Sequence, residues 1–153
     1  MTTLSKWGIV GFAALLVVSY LSWEWYLSPE ARVRRTLRGA AAAAERADAA
    51  AFVSFLSSDF SDFVHEDRAS LEKTLSEGFG RIDRLNVTLR SIDVVAEGGE
   101  ASARFDAVVV AIRGEERYVV LGTPFEGEKL EAVLEREPDG WKIVRVSRTG
   151  TNP

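Results

Sequence analysis

Few residues in this 153-residue chain are of a type that could do chemistry. The chain has one histidine and no cysteine. Thiol catalysis, disulfides, a cysteine-based zinc site and a site built from several histidines are therefore excluded. His65 stands in Phe63-Val64-His65-Glu66-Asp67-Arg68. An imidazole can move protons near neutral pH, and adjacent carboxylates could tune it as a general base. The same neighbours also describe a solvated or capping loop histidine, and their charge favours that alternative. Asp59 and Asp62 flank Phe60. Two carboxylates could divide acid and base roles if their surroundings separated their pKa values, although Ser57, Ser58 and Ser61 mark the segment as a turn. Arg104 and Asp106 share one face of a predicted strand with Val108, Val110 and Ile112. Tyr118 carries a hydroxyl that could donate to an oxyanion. Serine-hydrolase, phosphate-loop and dinucleotide motifs are absent. We expect no cofactor and no metal.

The elements that must position these groups begin with an apolar segment. Trp7 to Trp23 holds no charged residue, and continuing to Leu27 gives about 20 residues, enough to span a hydrocarbon core of about 30 Å. Trp7, Tyr20, Trp23, Trp25 and Tyr26 sit near its ends as an aromatic belt would. A cleavable signal peptide needs small residues after its apolar core, and Tyr20-Leu21-Ser22-Trp23 does not supply them. We read residues 1–28 as a tail and an uncleaved transmembrane anchor that meets the bilayer through residues 7–27. A literal positive-inside count, with Arg32, Arg34, Arg35 and Arg38 beyond the span, places the following domain in the cytoplasm. The short tail with Lys6 instead fits a bacterial signal anchor, and an exported, extracytoplasmic domain is the expectation we retain. The net charge is −4, with 19 basic and 23 acidic residues. It gives no electrostatic footprint for nucleic acid.

Ser28-Pro29-Glu30 predicts a helix start, and Val33, Leu37, Ala40, Ala41 and Ala44 form its apolar stripe. The arginines lie largely off that stripe, as a solvated face or as a contact to anionic lipid. Asp48 predicts the cap of a short helix with Phe52, Phe55 and Leu56 on one face. A further helix follows Asp67 with Leu71, Leu75 and Phe79, and Gly78 and Gly80 are expected to end it. From Ile82 the pattern alternates. Strands are predicted around Leu85–Leu89, over 101–112, at EERYVVLG, around Leu130–Leu134 and at WKIVRVS, separated by turns at Gly98-Gly99, Gly114, Pro124 with Gly127, and Pro138-Asp139-Gly140. Three helices followed by four to five antiparallel strands make an α+β layout over residues 29–148, with 149–153 a frayed tail.

This layout resembles the nuclear-transport-factor-2-like, or SnoaL-like, superfamily. The resemblance rests on the acidic-aromatic stretch from Asp48 through Phe52, Phe55, Leu56, Asp59, Phe60, Asp62 and Phe63, the Asp67–Phe79 helix, the long strands and the closing Asp139-Gly140-Trp141-Lys142-Ile143 hairpin. It implies a cystatin-like cone, a curved sheet around helices with a pocket at the open end. The superfamily includes isomerases, dehydratases and cyclases as well as domains that only bind partners, and its enzymes usually place Tyr, Asp or His in the pocket. The first helix here lacks the inward tyrosine of ketosteroid isomerases. In that frame the small alternating face Ala101, Ala103, Phe105, Ala107, Val109 and Ala111 belongs to the core. Arg104 and Asp106 then lie outside, and Val108, Val110 and Ile112 form an outer apolar patch for a second copy or a protein partner. The sequence thus favours a membrane-anchored, non-enzymatic binding or assembly domain for a small apolar ligand or a partner. The alternative is an isomerase, dehydratase or hydrolase using His65 with Asp59, Asp62 or Asp106.

Overall fold

The computed structural model describes the backbone of residues 3–62 and 67–150, and the side chains of 11–23, 28–61 and 67–150. His65 and the carboxylate of Asp62 lie outside the described residues, as do the side chains of Trp7, Trp25 and Tyr26.

Among the described residues, three of the four helices start where a short polar side chain caps them. Helix α1 spans Thr3–Leu27. Ser28 then accepts a hydrogen bond from the Ala31 amide at 3.2 Å and opens α2, Pro29–Glu45, with Pro29 at its first position. Asp48 accepts from the Ala51 amide at 3.0 Å and opens α3, Ala49–Val53. Asp67 accepts from the Ser70 amide at 2.7 Å and opens α4, Arg68–Phe79. Helix α2 ends without glycine: Ala47 takes a left-handed backbone with φ of 52°.

The sheet has six strands, one more than the upper expectation: β1 Leu56–Asp62, β2 Arg84–Glu97, β3 Glu100–Arg113, β4 Glu116–Leu121, β5 Glu128–Glu137 and β6 Gly140–Arg148. Their order is β1-β6-β5-β3-β2, with β4 also paired to β3. The sheet is mixed rather than wholly antiparallel, because β1 runs parallel to β6. The additional strand is β1, in the segment whose serines and aspartate read as a turn. Its polar residues are accommodated at a sheet edge. Ser57, although buried, donates from Oγ to Glu137 Oε1 at 2.6 Å, and the Ile143 amide donates to Phe55 O at 2.9 Å.

Strand β3 organises the curvature. It pairs with β2 along one edge, and on the other with β5 over residues 100–107, then with β4 over 109–113. The register shifts between Arg90 and Asp93 of β2, where Ser91 has φ of 53°. Such a bulge bends and twists a strand. The concave face receives the helices. Val33, Leu37 and Ala40 of α2 join Ala101, Ala103, Phe105 and Ala107 of β3, Leu130, Ala132 and Leu134 of β5, and Trp141 and Ile143 of β6 in one core. Ala44, Leu85 and Ala111 form a second, smaller cluster. Among the described residues, neither cluster includes one from α1.

Candidate functional site

Helix α4 packs on α3 and β1, and of its apolar row only Leu71 is buried. Leu75 and Phe79 are only partly buried. They form one wall of a cavity of about 470 Å³ between α2, α4 and the concave sheet. Helix α2 contributes Leu37, Ala40, Ala41 and Ala44; β2 contributes Leu85, Val87 and Leu89; and β3 contributes Phe105, Ala107, Val109 and Ala111. Alternation along β3 sends this small-residue face inward, and the small side chains leave the room that larger ones would fill. Thr74 is the one lining residue with a polar side chain, and no titratable side chain lines the cavity among the described residues.

The candidate residues of the described chain lie elsewhere. Arg104 is exposed on the outer face, where its Nε sits 3.6 Å from Glu131 Oε2. Ser102 Oγ donates to the other oxygen of that carboxylate at 2.8 Å. Arg104 therefore pairs across to β5 rather than with Asp106. Asp106 is half-buried on the same outer face, opposite Lys129. Asp59 is exposed on β1, and its amide donates to Ser57 Oγ at 3.3 Å. Tyr118 is exposed on β4 and its hydroxyl donates to Glu116. That hydrogen bond favours the protonated phenol and raises its pKa, with burial a smaller cause. Val108 is buried, and Val110 and Ile112 are half-buried. Their Cα partners on β2 are Thr88, Asn86 and Arg84, so the outer patch is flanked by polar residues as well as by Val119 of β4.

The structure thus brings together residues that sequence reasoning had assigned only to packing. Their signal was present as the alanine-rich faces of α2 and β3. What sequence could not show is that α4 meets α3 and β1 while Leu75 and Phe79 face a cavity, because that depends on tertiary packing.

No protein-family model matches the chain, and no curated protein matches it in sequence. Solved structures match it in shape. An NTF2-like protein with a cystatin-like fold from Novosphingobium aromaticivorans superposes with a TM-score of 0.66 at 17% identity, over 88% of this chain and 91% of that one. A candidate aromatic ring hydroxylase from the same species gives 0.68 at 16%, over 81% and 90%. A candidate scytalone dehydratase, also from that species, gives 0.65 at 16%, over 76% and 79%. The shared property is the fold: helices on a curved mixed sheet, closed into a cone of the NTF2-like kind.

Proposed function

We propose that this protein is a membrane-tethered binding domain that takes up a small apolar ligand in the cone. The observation that carries this is the lining of the cavity, apolar apart from Thr74. Its volume falls within the range of ligand pockets, about 300–1,000 Å³. Burying an apolar molecule there gains roughly 25 cal/mol per Å² removed from water, and Thr74 is the one polar side chain that would lose water.

Tethering rests on α1. Among the described residues no helix is long and apolar enough to cross a membrane. The support is instead the uncharged run from Trp7 to Trp23 and the surface of α1. Every described side chain of α1 is exposed, Phe12 at 68% and Trp23 at 67% among them. A water-soluble helix buries an apolar stripe. This one turns apolar side chains outward all round, as a helix solvated by lipid does.

The alternative is an isomerase, dehydratase or hydrolase built on His65 with Asp59, Asp62 or Asp106. It draws support from structural neighbours that carry dehydratase names.

Gly78 tests the binding reading. It lies on the cavity wall, and a Cβ there would meet nothing within 4 Å. Gly78→Leu should fill cavity space. It should also stabilise α4 by about 1 kcal/mol through helix propensity. In residues 29–153, Nile red should bind saturably to the unsubstituted domain and at least tenfold more weakly to the variant, while the variant melts higher. Equal binding by both proteins would contradict the proposal.

A further inference from the structure

Along the first half of α2 lies a second concavity, unlike the first in its chemistry. Arg32 and Arg35 of α2, Arg136 of β5 and the aromatic residues Phe55 and Trp141 line a groove of about 630 Å³. Acidic residues outnumber basic ones in the chain, yet no carboxylate lines this groove among the described residues. The helix does not account for the placement of these charges. Arg32 stands in the first turns of α2, at the positive end of the helix dipole, where a cation is unfavourable. The ring of Phe55 lies where a side chain on Gly39 would go, within 2.7 Å of a Cβ built there, which opens this face of α2 to the aromatic wall. Arg136 comes from a different element, on the hairpin that carries Trp141.

We propose that this groove seats the phosphate-bearing headgroup of an anionic phospholipid. The inference rests on the membrane reading of α1. Arg32 and Arg35 lie five and eight residues past Leu27 in the chain, within about 12 Å along a helix axis. If α1 ends at the hydrocarbon boundary, that distance reaches the headgroup layer and little further. Guanidinium groups match phosphate oxygens with paired N–H donors. Aromatic rings favour the same layer. The headgroup would hold the domain in one orientation on the bilayer instead of leaving it to swing about Ser28.

Two arms separate this inference from the reading it rests on. In the first, the full chain is mixed with neutral phosphatidylcholine vesicles and floated. Flotation supports the anchor, and failure to float overturns the anchor. In the second, residues 29–153, which hold both apolar clusters, are sedimented with phosphatidylcholine vesicles and with vesicles containing about 30 mol% phosphatidylglycerol. The fragment should prefer the anionic vesicles, and R32A/R136A should weaken that binding roughly tenfold or more. R34A/R38A removes the same charge from α2 outside the groove lining and should cost much less. Arg136→Glu, at an exposed strand position, gives the same comparison without altering α2. Equal losses from the two double variants, or no loss from R32A/R136A and Arg136→Glu, would overturn the groove as a site. Competition by inorganic phosphate as effective as loss of the anionic lipid would assign the groove to free phosphate and overturn the lipid.

Discussion

Trp141 joins the last hairpin to the helices. It is 6% exposed and belongs to the main core, and its carbonyl accepts from Thr36 Oγ1 of α2 at 3.5 Å. Trp141→Ala should cost about 3–5 kcal/mol, measured by urea unfolding of residues 29–153. Next to it, Lys142 donates from Nζ to Ser54 O at 2.6 Å and stands 3.1 Å from Asp139 Oδ2. The hydrogen bond from Lys142 lowers the Asp139 pKa, helped by a backbone hydrogen bond in the turn. A carboxyl whose folded pKa is depressed adds stability above its unfolded value, about 3.9, and loses it as the pH falls through the folded value. Asp139→Asn should therefore unfold at lower urea than the parent at neutral pH. The difference should vanish in strong acid, and a gap independent of pH would contradict this role. At this scale the sequence was informative wherever the physics was local. Ser28 and Asp48 cap the helices they were expected to cap, and Asp67 caps the helix expected to follow it, because a cap needs only its own next turn.

Elements were legible where periodicity ran long. The inward face of β3 followed from alternation together with its small residues, and five of the six strands followed from strand patterning between turn signals. Strand β1 did not, since a polar edge strand paired in parallel with a distant β6 leaves no short-range pattern. Helix α4 shows a related limit. Its Leu71, Leu75 and Phe79 repeat at four residues, but that spacing does not say whether the face meets a core or a cavity. The loop between β4 and β5 is held by a close approach. A Cβ on Gly127 would stand 2.9 Å from Asp106 Cβ and 3.2 Å from the Ala107 amide nitrogen of β3. The β3 backbone cannot retreat there without disturbing its pairing with β2 and β5. Gly127→Ala should therefore destabilise the domain by about 1–3 kcal/mol, read from its melting transition. An unchanged transition would show that the loop does not depend on that contact.

At the scale of the molecule, a curved mixed sheet, three packed helices and an apolar helix outside the core divide the work. The sheet and α2 supply most of the core, α4 bounds the cavity, and among the described residues α1 contributes to neither apolar cluster. The cone was legible in the sequence as a resemblance, and the solved structures of the same shape agree with it. The character of the cavity was not legible, because it depends on which side chains converge from α2, α4, β2 and β3. The claim that this cavity binds apolar molecules is tested most directly by titrating residues 29–153 with a series of straight-chain alcohols of increasing length. Each added methylene should gain about 0.8 kcal/mol, roughly fourfold in affinity, until the cavity is full. Beyond that length the gain should stop, and Gly78→Leu should move the stop to shorter chains. Affinity that does not change with chain length, or no binding at any length, would contradict the account.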